Sequence, residues 1–136
     1  MKIITDEIDI KTSKRLEIID ISSKIAEIVK KHGMKNGLLN IFTKHSTSAI
    51  VINENESRLV KDFENLLMKI VPENETYGHN TIDNNAAAHL RSFLLGGSQS
   101  IPIQNGYLDL GTWQSIFFVE LDGPRNRKVK ITILGQ

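Results

Sequence analysis

The segment Trp113–Glu120 constrains the fold more than any other part of the chain. Successive side chains of an extended chain point to opposite faces, so Phe117 and Val119 fall on one face and Ile116 and Phe118 on the other. Neither pair suits water. The segment is therefore predicted to be a central strand, covered by protein on both sides. At 136 residues the chain suits one domain spanning 1–136, large enough to bury such a strand without staples.

The rest of the chain divides into runs of strands and runs of helices. Ile4, Asp6, Ile8 and Ile10 against Thr5, Glu7 and Asp9 predict a first strand, and Arg15–Ile19 a second. Asp20 or Ser22 is suited to cap a helix with the stripe Ile21, Ile25, Ile28 and Val29, ended by Gly33 after basic residues. Gly37–Phe42 and Ala49–Ile52 read as strands. Ser57 opens a helix with Leu59, Val60, Phe63, Leu66, Leu67 and Ile70 on one face, stopped by Pro72. After a polar loop, Asp83 is expected to cap a third helix with Ala86, Ala87, Leu90, Phe93 and Leu94 inward. Asn105-Gly106 marks a hairpin between Gln99–Ile103 and Tyr107–Leu110, and Lys128–Leu134 alternates as the last strand. The order, roughly β-β-α-β-β-α-α-β-β-β with three or four strands at the end, favours an α+β fold with about three helices.

Charge and composition exclude several functions. Seventeen basic against sixteen acidic residues leave a net charge of +1, so nothing draws the whole molecule to nucleic acid or an anionic membrane. With no cysteine, disulfide and thiolate chemistry are excluded, and a metal would have to use His nitrogen or Asp/Glu oxygen. No apolar run approaches the ~20 residues of a membrane span. Met1–Ile10 does not read as a cleavable leader, so the cytoplasm is the expected location.

Polar residues gather at five element boundaries, where scaffolds usually present functional groups. His45-Ser46-Thr47-Ser48 combines a ligand or general base with hydroxyls that can bond an anion, and equally suits a turn with local bonds. Asn53-Glu54-Asn55-Glu56 can hold substrate or a hard cation, or simply cap the next helix. His79, Asp83 and His89 form the third group. His89 lies only about 60° around the helix from Ala86, at the edge of the buried stripe, where a returning loop could bring His79 to it. Gly111-Thr112-Trp113-Gln114 offers an indole for stacking or for the core. Glu120 through Arg127 places Arg125 and Arg127 beside a Gly-Pro turn, suited to clamping phosphate or to internal ion pairs. No P-loop, dinucleotide fingerprint or Ser/His/Asp motif occurs.

Taken together these segments resemble the signatures of the YjbQ-like family, whose members are credited with a secondary thiamine-phosphate synthase activity. His45-Ser46-Thr47-Ser48-Ala49 with Ile52-Asn53-Glu54-Asn55 is similar to its first signature, with Ser46 where threonine is common; His79, Asp83-Asn84, Ala86 and His89 are similar to its second. Gly111–Gln114 and Glu120–Arg127 are similar to the third and fourth, in family order from His45 to the end. The resemblance implies a two-sheet β-sandwich with helices, assembled as a homotrimer. It implies a transferase that joins a pyrimidine pyrophosphate to a thiazole phosphate and releases pyrophosphate. The alternative is a metal- or anion-binding module with incidental synthase activity.

On that basis His45, His79 and His89 are the expected ligands of Zn²⁺ or a similar divalent metal, with Mg²⁺ accompanying the substrate pyrophosphate and no organic cofactor. His45, Asp83, His89, Glu54 and Arg125 are the expected catalytic residues. Ser46, Thr47, Asn53, Trp113, Glu120 and Arg127 are the expected substrate contacts. The expected partners are a phosphorylated small molecule and further copies of the chain, with no nucleic acid and no membrane.

Overall fold

The computed structural model describes residues 1–136. Two antiparallel sheets and three helices form the α+β fold that the segment pattern predicts, arranged as the two-sheet sandwich that the resemblance implies. The strands are β1 (Lys2–Lys11), β2 (Glu17–Asp20), β3 (Gly37–Thr43), β4 (Ser48–Asn53), β5 (Ser98–Gln104), β6 (Tyr107–Leu108), β7 (Ser115–Glu120) and β8 (Asn126–Gly135). The helices are α1 (Ser22–His32), α2 (Ser57–Ile70) and α3 (Ala86–Leu95), with a 3₁₀ turn at Gly78–Thr81. Four strands therefore follow α3, one of them the two-residue β6. No helix is long and apolar enough to cross a membrane.

The large sheet runs β1-β8-β3-β5-β6 and the small one β2-β7-β4. Strand β7 is central in the small sheet and covered on both faces. Ile116 and Phe118 join the main core with Ile50, the inward residues of the large sheet and the α1 stripe Ile21, Ile25, Ile28 and Val29. On the other face Val119 packs with Ala49, Leu67, Ala88 and Leu121 beneath α2 and α3. The molecule is thus layered, with the small sheet between the large sheet and α2/α3. Gly33 adopts φ 62° and closes α1 with backbone bonds to Lys30 and Val29, while Asn105 and Gly106 at φ 52° and 85° make the β5–β6 turn.

Three local expectations are corrected. Neither Asp20 nor Ser22 is the N-cap of α1; Ile21 is, although the Asp20 carboxylate accepts from Ser22 N–H at 2.9 Å. Asp83 does not cap α3. The 3₁₀ turn delays the helix to Ala86, whose N–H donates to Asn80 Oδ1 at 3.0 Å, while the Asp83 carboxylate accepts from Asn84 N–H. The face of α3 is also rotated. Ala86, Ala87, Ala88 and Arg91 are buried, whereas Leu90, Phe93 and Leu94 are exposed. Arg91 sets that rotation: its Nε and Nη2 donate to Val71 O at 3.2 and 2.7 Å, tying α3 to the end of α2.

Candidate functional site

The β7–β8 connection builds a buried polar core at one end of the small sheet. Glu120, the last residue of β7, is fully buried, and Arg127 on β8 is nearly so. Arg127 Nε donates to Glu120 Oε1 at 2.8 Å, and its Nη2 donates to Glu120 Oε2 and, at 2.9 Å, to Thr47 Oγ1. Thr12 Oγ1 and Asp122 N–H give the same carboxylate two more donors, at 2.8 and 3.1 Å. Burial opposes ionisation of Glu120, but the Arg127 bonds and charge outweigh it and hold the carboxyl below the usual range. The turn is tight: a Cβ on Gly123 would overlap the Lys14 backbone oxygen.

Asp122, also buried, links this core to the histidines. Its carboxylate accepts from Arg125 Nη2 at 3.0 Å, Arg15 Nη1 at 3.3 Å and Asn85 Nδ2 at 2.9 Å. Asn85 Oδ1 in turn meets His79 Nε2 at 2.9 Å. The His79 ring stands edge-on to His89, with centroids 4.8 Å apart and planes at 78°. These two imidazoles line a cleft with Tyr77, Leu90 and Phe93. Arg125 is half-exposed; its Nε and Nη2 are held by Asp122, and Nη1 has no protein partner. One end of the fold therefore offers two imidazoles and a free guanidinium edge around a single buried carboxylate, a set suited to a phosphorylated ligand.

Several sequence-predicted residues stand elsewhere or are already engaged. His45 does not join the other two histidines in one chain. Its Nε2 accepts from Lys128 N–H at 3.1 Å, and burial and the Arg127 charge push its pKa down, so the ring is neutral with its proton on Nδ1. No three His, Asp or Glu side chains of one chain are arranged to hold a metal ion. Two imidazoles fall short of the three protein ligands of an open zinc site, so a third would have to come from another copy or from the substrate. Asp83, expected to orient an imidazole, is exposed and does not; Asn85 and Asp122 fill that position. Glu120, Arg127 and Thr47, expected to touch substrate, are buried and bonded to one another. Ser46 is exposed beside them.

Asn53, Glu54 and Trp113 lie at the opposite end of the small sheet. Ser48 pairs with Glu120 and Asn53 with Ser115, so the two ends are about 17 Å apart at a strand's rise per residue. Trp113 is 73% exposed and precedes β7 rather than starting it. Asn53 and Glu54 border a groove of about 310 Å³ between α2 and the sheet, lined by Val51, Phe63 and Phe117 among others. One chain thus separates the expected site into two clusters. Asn85 escaped the sequence reading, and Asp122 entered it only as part of the Glu120–Arg127 turn, because each sits among motif residues with no pattern of its own. The signal was present: both are polar residues next to buried apolar ones.

The chain matches the family profile described as UPF0047 protein YjbQ-like over residues 6–136. It is 56% identical over 136 residues to a UPF0047 protein of Methanothermobacter thermautotrophicus, covering 100% of this chain and 95% of that one. It is 39% identical over 130 residues to the UPF0047 protein YugU of Bacillus subtilis, covering 94% and 97%. The fold superposes on the crystal structure of a YbjQ-like protein of unknown function from Sulfolobus solfataricus with a TM-score of 0.97 at 43% identity, covering 99% of both chains. A conserved hypothetical protein from Thermus thermophilus superposes with a TM-score of 0.85 at 26% identity, covering 95% and 99%. The fold, the order of its motifs and these likenesses agree: the chain belongs to the UPF0047 YjbQ-like family.

Proposed function

We propose that this protein is a cytoplasmic transferase that joins a pyrimidine pyrophosphate to a thiazole phosphate, as the resemblance of its motifs implies, and works as a homotrimer. In this reaction the thiazole nitrogen attacks the methylene carbon of the pyrimidine; a C–N bond forms, the C–O bond breaks, and pyrophosphate leaves with the electron pair. The observation that carries the reading is the joint anchoring of His79 and Arg125 by Asp122. A leaving pyrophosphate needs positive charge placed in advance, and the free edge of Arg125 provides it. His79 and His89 would contribute to a divalent metal, which supplies further charge neutralisation when bound. Glu120, Arg127 and Thr47 hold the β7–β8 turn rigid beneath these groups.

The trimer reading is supported by the surface around the cleft. Phe93 is 85% and Leu94 64% exposed, and Phe93 and Leu90 line the same cleft as the two imidazoles. An apolar rim around a polar site suits closure by another copy, which could also bring His45, Asn53, Glu54 or Trp113 to it.

Incubating the pure protein with both substrates, in the presence of Zn²⁺, Mg²⁺ or Mn²⁺ in turn, should yield thiamine phosphate, and His89→Ala should abolish the product while the fold survives. No product with any metal would overturn the synthase. That result would favour a metal- or anion-binding module, which the internal satisfaction of the buried network also suits, since no buried side-chain polar atom lacks a partner.

A further inference from the structure

The hydrogen-bond chain from Asp122 to His79 has a direction. The Asp122 carboxylate takes donors from two guanidinium groups and faces Asn85 at 2.9 Å. The amide must present its NH₂ there, because the reverse orientation would set two acceptor oxygens against each other. Asn85 Oδ1 is thereby turned to His79, 2.9 Å from Nε2. An amide oxygen only accepts, so His79 Nε2 carries the hydrogen. In the neutral ring the lone pair then lies on Nδ1, which has no hydrogen-bond partner in the chain. Asn85 is itself buried and its backbone ends at the start of α3, so the amide is held at both ends of its side chain.

We propose that Asn85, oriented by Asp122, is a positioning residue that locks His79 as the Nε2–H tautomer and keeps its Nδ1 lone pair free for a metal ion or a substrate proton. The proposal rests on the His79–His89 cleft being the functional site, and deepens that reading. Asn85 acts through His79 and need not touch substrate. It fills the place that a carboxylate or backbone carbonyl holds behind a ligating imidazole, where it fixes ring orientation and tautomer. Because Arg125 shares Asp122 with Asn85, the half-exposed guanidinium and the imidazole are set by one carboxylate.

The test is a ¹⁵N-resolved NMR spectrum of the four imidazoles at about pH 8.5, where imidazoles are generally neutral. His79 should show a slowly exchanging Nε2–H and a bare Nδ1. Asn85→Ala should lose the slow exchange, with the backbone spectrum otherwise preserved. In parallel, titration with Co²⁺ alone should weaken about 10- to 100-fold in Asn85→Ala. A proton on Nδ1 in the wild type, or a slow Nε2–H that persists in Asn85→Ala, would overturn the proposal. Lack of Co²⁺ binding by the wild type beside the predicted NMR pattern would leave the tautomer lock standing and remove the metal from the site's function.

Discussion

Helix α1 and the pair α2–α3 pack against opposite faces of the small sheet with apolar stripes of the same kind, and with opposite results. Ile21, Ile25, Ile28 and Val29 of the α1 side are all buried against both sheets. On α2 only Leu67 is buried, while Leu59, Leu66 and Ile70 are exposed; on α3 Leu90, Phe93 and Leu94 are exposed. An amphipathic helix gains most of its stability from burying its stripe, so the α2–α3 layer is incomplete in a single chain. The Asp122 network and the two imidazoles lie on that incomplete side. The α1 layer closes the core, and the α2–α3 layer leaves apolar side chains exposed beside the two imidazoles.

Mutation can sharpen or break this contrast. The largest loss is expected at the buried pair that joins the two sheets: Glu120→Ala leaves Arg127 buried without its carboxylate, and should cost about 3–5 kcal/mol in urea unfolding. Ile25→Ala on the closed side should cost about 2–5 kcal/mol, through lost burial and a cavity. Phe93→Ala on the open side should change the chain's own stability by less than about 0.5 kcal/mol, yet remove the dependence of unfolding on protein concentration that a trimer confers. Equal losses at Ile25 and Phe93 would erase the distinction. Arg125→Ala breaks only a half-exposed pair and should cost at most about 1 kcal/mol, while raising the KM of the proposed synthase reaction for its pyrophosphate substrate.

The smallest effect is set by pH. His45 has a lowered pKa in the folded protein because burial and Arg127 disfavour its charge. The unfolded chain therefore binds that proton more readily, so stability is complete above the unfolded pKa of about 6.5 and declines as pH falls below it. His45→Gln should flatten this decline between about pH 7 and pH 5. A slope unchanged by the substitution would place the proton elsewhere.

How much of this was legible in the sequence depends on how local each determinant is. The doubly covered β7, the α1 stripe with Gly33, and the Asn105-Gly106 hairpin were readable, because periodicity and backbone preference act over a few residues. The facing of α3 was not. Its choice of buried side is made by Arg91 reaching the Val71 carbonyl, a contact twenty residues away that periodicity does not encode. The site behaved similarly. The meeting of His79 and His89 followed from a loop returning over its own helix, whereas His45 is held by Lys128, 83 residues downstream. Asn85 and Asp122 announce themselves only when their hydrogen-bond partners are known.

The open α2–α3 face, with the histidine cleft at its edge, is the surface on which the proposed trimer would close. Light scattering from the purified protein measures this directly. The predicted mass is three times the 15.3 kDa of one chain, falling to a single chain when Phe93 and Leu94 are both replaced by Glu. A wild-type protein that stays at 15.3 kDa across concentration would contradict it, leaving the two imidazoles of each chain to act alone.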